Sequence, residues 1–193
     1  MTKNKLLFYD TETTGLPKNW NAPISNLSNW PRMVQLAWLL YDVDGHKVAA
    51  ADHIILPVGY TIPPFVAKIH GISHQRAEKE GVALRFVLDE FLVALAEADT
   101  VVGHNIGFDN KIIGAELLRN DLPNLVEEKS SICTMMKSAS FCGIRNRFGY
   151  KWPTLAELHQ KLFQVGFNNA HNAAIDIEVT AKCFCALRKQ CDL

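Results

Sequence analysis

The chain has 193 residues, 48% hydrophobic and 21% charged, with 8 prolines and 11 glycines. That is enough apolar material for a buried core and too little bias for a disordered tail or a fibrous repeat, and the length favours one domain over residues 1–193. Its 20 basic and 20 acidic residues leave no net charge, which excludes a global pull towards a polyanion or an anionic membrane, so any grip on nucleic acid must be local.

Lys5 to Glu12 is apolar and aromatic before its acids, and Thr13-Thr14-Gly15-Leu16-Pro17 supplies a stop, so this segment reads as a buried strand ending in a loop. Residues 17–32 gather Asn, Ser, Pro and Trp without period and read as a loop. Met33 to Val43 and Lys47 to Leu56 are strand-like, with Asp44-Gly45 as a hairpin signal between them. After Pro63-Pro64 comes a short helical piece ending near His70-Gly71, then a longer helix with Leu84, Leu88, Phe91 and Leu95 on its apolar stripe. Thr100 to Gly103 reads as a strand feeding a helix over Asn105 to Arg119, and Ser131 to Thr134 as a last short strand. Residues 139–153 read as a second loop. Thr154-Leu-Ala-Glu157 is a capping box opening a helix to about Phe163, and a closing helix runs from about Asn172 to Leu187. Antiparallel strands first, then strands alternating with helices, predict an α/β fold with one mixed sheet.

The five cysteines are an odd number without scaffold spacing, and nothing before Lys5 resembles a signal peptide, so reduced thiols and a cytoplasmic protein are expected. Cys183, Cys185 and Cys191 lack the second spaced pair of a zinc site. No apolar run reaches the roughly 18 residues of a membrane span.

Asp10 and Glu12 are two apart, so on a strand both project from one face, about 6 to 7 Å apart along the backbone, with no Lys or Arg between Lys5 and Lys18 to pair with them. Asp109, in His104-Asn-Ile-Gly-Phe-Asp109, falls in the first turn of a helix just past a buried strand, where a crevice forms and an anion is favoured. His171 and Asp176 are five apart; a continuous helix would turn them about 140° away from each other. They cooperate only if His171 precedes the helix and Asp176 lies in its opening turns. Taken singly, each acid has an ordinary reading as a solvated strand end or a dipole-complementing first-turn residue.

Together they form a pattern. Asp10-x-Glu12, Asp109 in its His-Asn-x-x-Phe-Asp context and His171-x4-Asp176 resemble the DEDDh exonucleases, above all the branch of the proofreading epsilon subunit of bacterial DNA polymerase III. The likeness extends to Asp10-Thr-Glu-Thr-Thr-Gly-Leu16, Ile69-His-Gly-Ile-Ser73, Cys133-Thr134 and Pro153-Thr-Leu-Ala-Glu-Leu158, in order over about residues 5–187.

The resemblance implies a ribonuclease H-like five-stranded mixed sheet flanked by helices, and a metal-dependent 3′→5′ exonuclease releasing nucleoside 5′-monophosphates. Four carboxylates, Asp10, Glu12, Asp109 and Asp176, would hold two divalent cations, Mg²⁺ or Mn²⁺, since hard oxygen ligands suit those ions. Asp10 would bridge both, Glu12 and Asp176 would hold the ion that activates water, and Asp109 would support the other. His171 would be the general base, because imidazole titrates near neutral pH. Thr13, Gly15, Leu16, His70, Asn105 and Phe108 would bind the terminal nucleotide of single-stranded nucleic acid, DNA in preference to RNA.

Arg145-Asn-Arg-Phe-Gly-Tyr-Lys-Trp152 interleaves cations with aromatics, as either a single-strand contact or a plain surface loop. Two departures from the family outline stand out: the loop after Leu16 carries Trp20 and Trp30, and Gln35 stands where an acid is common. The chain ends at Leu193 without the polymerase-binding tail of the proofreading subunit, so a stand-alone nuclease, or one recruited otherwise, is expected in place of that subunit, with a homodimer left open. The alternatives are an RNA-processing exoribonuclease of the same family and a binding module that does not cut.

Overall fold

The computed structural model describes residues 5–168 and 171–190. In chain order the elements are β1 (Leu6–Thr13), β2 (Met33–Tyr41), β3 (Lys47–Ile54), α1 (Pro64–His70), α2 (His74–Glu80), α3 (Leu84–Glu97), β4 (Thr100–Gly103) and α4 (Ile106–Arg119), then β5 (Ser130–Cys133), α5 (Thr134–Lys137), α6 (Ala139–Cys142), β6 (Arg145–Asn146), β7 (Gly149–Tyr150), α7 (Leu155–Phe163) and α8 (Ala173–Gln190). Five strands form a mixed sheet in the order β3-β2-β1-β4-β5, antiparallel from β3 to β1 and parallel from β1 to β5.

The alternation of β1 divides the core in two. Leu7 and Tyr9 face a cluster with Val87, Phe91 and Ile112 of α3 and α4. Phe8 faces the opposite side with Ala37, Leu39, Val102 and the α8 residues Ala173, Ile177, Ala181 and Phe184. Both faces are therefore covered, which is why β2 is apolar almost without interruption. The capping box at Thr154 forms as expected.

Two segments depart from the sequence reading. The helix α2 lies between the two helices expected there; its apolar content is a single buried Ala77, too little for a periodic signal. Residues 139–153 are no plain loop: they contain α6 and a two-stranded hairpin, β6 and β7, whose strands are only two residues long and below any periodicity. Cys183 is buried and Cys185 exposed, so these two thiols face different ways on α8, and burial pushes the Cys183 thiol up to about 12. Cys191 lies outside the described residues. Among the described residues no helix is long and apolar enough to cross a membrane.

Candidate active site

Strand β1 overshoots its parallel neighbour. It pairs with β4 only as far as Phe8, opposite Val102, yet it continues beside β2 as far as Thr13, opposite Met33. The backbone beyond Phe8 would thus be an open edge on the β4 side, and buried backbone donors need partners. Helix α4, entered through Asn105 in the left-handed region (φ 71°), fills that gap. The Thr11 N–H and hydroxyl both donate to Asp109 Oδ1, at 3.0 and 2.7 Å, and Asp109 is only 3% exposed. A first-turn aspartate and the tip of the first strand are so locked together.

Asp10 and Glu12 point to the face that α8 covers, as the period of two requires. The chain turns into α8 through His171, itself in the left-handed region (φ 68°). Its N–H donates to Asp176 Oδ2 at 2.9 Å, and the Asn172 side chain accepts from Ile175 N as an N-terminal cap. His171 therefore precedes the helix, Asp176 lies in its first turn, and the five-residue spacing closes on itself. His171 is exposed.

Carboxylate oxygens of Asp10, Glu12 and Asp176 all lie within 4.8 Å of one another. Asp109 stands behind them, outside that group, one oxygen held by Thr11. Burial first, then repulsion from Asp109, Glu12 and Asp176, pushes the Asp10 carboxyl well above the carboxylate range. Burial, followed by Asp176 and Asp109, brings Glu12 to about 8; burial brings Asp109 to about 7 against the opposing Thr11 hydrogen bonds. Asp176 is raised by burial and lowered by the His171 N–H and by the nearby imidazole. Among the described residues none of the four acids joins an ion pair, and Asp176 Oδ1 is buried without a partner. A hard-oxygen donor set with no protein cation to neutralise it, and with one orphaned buried oxygen, fits divalent metal ions.

Beside the acids lies a cavity of about 530 Å³ whose wall includes Glu12, Thr13, Gly15, Leu16, His70 and Phe108. Of the nucleotide-binding residues expected from sequence, only Asn105 is not in that wall; it is exposed at the start of α4. The opposite wall is α1, with Phe65, Val66 and Ile69, which the sequence reading missed. The available signal was the pair Phe65 and Ile69, one helical turn apart and both exposed on a helix whose Val66 and His70 are buried. Ile72 N–H donates to His70 Nδ1, which leaves the ring proton on Nε2; that atom is buried with no partner, and burial lowers the ring's pKa and keeps it neutral.

Two further supports were not legible in the sequence. Gln35, opposite Glu12 on β2, donates to Asp52 Oδ1 (2.6 Å) and accepts from Ala173 N (3.3 Å), tying the start of α8 to the sheet. The 17–32 loop is packed in place: Trp30 is buried, the Arg119 guanidinium donates to the carbonyls of Leu27 and Trp30, and the Trp20 ring lies 5.6 Å from that of Phe108.

Three antiparallel strands continued by parallel ones, flanked by helices, with acids gathered at the end of the first strand, make this a ribonuclease H-like nuclease fold. The chain belongs to the exonuclease family, whose model matches residues 7–184. No curated protein sequence matches it. Among solved structures it is similar to Escherichia coli exonuclease I: in a zinc-bound complex with single-stranded DNA (TM-score 0.75, 18% identity), in a complex with a dA16 oligonucleotide (0.74, 19%) and in one with a dT13 oligonucleotide (0.75, 21%). Each match covers 97% of this chain and 41% of the other, so the chain spans about two fifths of that enzyme.

Proposed function

We propose that the protein is a DEDDh-type 3′→5′ exonuclease that trims single-stranded DNA to nucleoside 5′-monophosphates with two divalent cations, Mg²⁺ or Mn²⁺. The observation that carries this reading is the convergence of unneutralised carboxylates beside a cavity with an apolar wedge, Leu16, and an aromatic ring, Phe108. Such ions supply Lewis-acid stabilisation at phosphorus and a more acidic attacking water. Asp10, Glu12 and Asp176 would hold them directly, and Asp109, standing back, would complete the set.

The chain's own residues do the rest. His171 is exposed and anchored through its backbone to Asp176, so its imidazole can approach the attacking water and take its proton to bulk solvent. Leu16 and Phe108 contact a base by its face, which suits an enzyme that accepts every sequence. The His70 Nε2–H is a preset donor for an acceptor on the nucleotide. The motif order supports the 3′→5′ direction, and the exonuclease I complexes with single-stranded DNA support DNA over RNA.

End-labelled DNA and RNA oligonucleotides, with Mg²⁺, Mn²⁺ or chelator, test this against Asp109→Asn. The expected result is stepwise shortening from the 3′ end, faster on DNA, only with metal and only in the unaltered protein. Cleavage that survives chelator, or products with a 3′-phosphate, would refute it. His171→Ala should slow hydrolysis about 10² to 10⁴-fold while calorimetry still records ion binding; loss of ion binding instead would reassign the histidine.

A further inference from the structure

The hairpin of β6 and β7 has no part in the site described above, and it presents aromatic rings to solvent: Phe148 is 82% exposed and Trp152 58%, with Tyr150 between them. Two of these rings carry their own cations, the Arg147 guanidinium 4.6 Å from the Phe148 centroid and that of Arg145 5.3 Å from Tyr150. Exposed rings of this size are unfavourable in water unless something covers them. The charge around them says what. Over residues 129–156 the chain has Lys129, Lys137, Arg145, Arg147 and Lys151 and not one Asp or Glu, although the whole chain is neutral.

The hairpin is also held at the correct end of the sheet. Lys151 N–H donates to the Ile144 carbonyl at 2.7 Å, closing its base, and Lys151 Nζ meets Glu157 on α7. The next-but-one residue, Pro153, offers its carbonyl to His104 Nε2 at 3.0 Å, while His104 Nδ1 lies 3.0 Å from Thr134 Oγ1. His104 directly precedes Asn105, where α4 begins and carries Asp109 to the acids. Short stretches of chain and the His104 hydrogen bonds thus link the base of the aromatic hairpin to the start of α4.

We propose that this hairpin is a second binding site, a stacking platform for the single-stranded DNA that lies 5′ of the terminal nucleotide, with Phe148 and Trp152 receiving bases and Arg145 and Arg147 receiving phosphates. It rests on the nuclease reading for the strand's identity and extends it from one nucleotide to several. Stacking platforms tolerate any base, as a sequence-blind enzyme requires.

The test is equilibrium binding by fluorescence anisotropy of labelled dT12 and competing dT4, in the full chain with chelator present so that nothing is cut. Phe148→Ala should weaken dT12 about tenfold and dT4 much less, and Phe148→Tyr should restore dT12 binding. Arg145→Gln with Arg147→Gln should reduce the slope of log affinity against log salt by about 0.7 for each phosphate that the protein no longer neutralises. Equal weakening of dT4 and dT12, or dT12 binding unaffected by every hairpin variant, overturns the platform. Cleavage plays no part in this readout, so a failure of the nuclease reading would show separately, as no hydrolysis with Mn²⁺.

Discussion

Asp109 and Glu116 lie two turns apart on the same helix and are both buried, yet the protein treats them in opposite ways. Glu116 Oε1 receives Arg32 Nε at 2.8 Å, Arg119 at 3.1 Å and the Met33 N–H at 3.0 Å. Asp109 receives only the neutral donors of Thr11 and repels two other acids, Asp10 and Glu12. The first carboxylate is neutralised by the fold, and the second has no counter-charge within it, so that its charge is relieved only by a proton or by a cation from outside. Burial of charge is therefore not itself the mark of a functional site; burial without an internal counter-charge is.

The largest effect that separates the two regions is expected from Glu116→Ala. Removing Glu116 leaves two guanidiniums without a counter-charge, and denaturant unfolding should show a loss of about 3 kcal/mol, the lower end for a broken buried pair because Arg32 keeps some access to water and Arg119 keeps its carbonyl acceptors. Asp109→Asn in metal-free protein should hold or raise stability, since it removes repulsion and keeps an acceptor for Thr11. A large loss there would erase the contrast.

Next comes the response to metal and pH. At a hundredfold excess over its dissociation constant, Mg²⁺ or Mn²⁺ should stabilise the protein by about 2.7 kcal/mol, and should do so in Glu116→Ala but not in Asp10→Asn. Without metal, Glu12 at about 8 and Asp109 at about 7 lie above their unfolded values near 4. The folded state then binds more protons than the unfolded one, so their stabilising contribution is complete below about pH 4 and is lost as pH rises towards 8. Thermal melts across that window should fall with pH in chelator and flatten with metal, which keeps the carboxylates ionised.

A smaller effect belongs to Gln35→Leu, which leaves the Ala173 N–H unpaired at the start of α8; a cost of about 1 to 2 kcal/mol is expected, with weaker metal binding because the turn of α8 that carries Asp176 loses a tie to the sheet. Least of all, Arg85→Ala breaks an exposed pair with Asp89 and should change stability by under about 0.5 kcal/mol. A larger change there would mean that exposed ion pairs contribute more to this fold than the buried one at Glu116 suggests.

Much of the acidic centre is readable along the chain because each part obeys a local rule. The period of two puts Asp10 and Glu12 on one face of β1, and the five-residue spacing works only with His171 ahead of α8, which is where a left-handed residue and an Asn cap place it. Less was readable where partners are distant in sequence or elements are short. Arg32 meets Glu116 across 84 positions and Gln35 meets Ala173 across 138, and no spacing rule relates such pairs. The hairpin at residues 145–150 falls short for another reason: its strands offer too few residues for a period to show, whereas α1 was readable as a helix but not as a wall of the cavity, because which of its faces meets Leu16 and Phe108 is settled by packing.

By itself, then, the amino-acid sequence determined the order of the five sheet strands and of the longer helices, the family motifs and which acids could share a face, because periodicity, capping and turn chemistry act within a few residues. Only the tertiary structure decided that three acids meet while Asp109 stands behind them on Thr11, and that Glu116 is neutralised where its neighbours are not. Those outcomes depend on where β4 stops beside β1 and which arginine reaches across a packed core, and such distances exist only once the sheet and its helices have closed together.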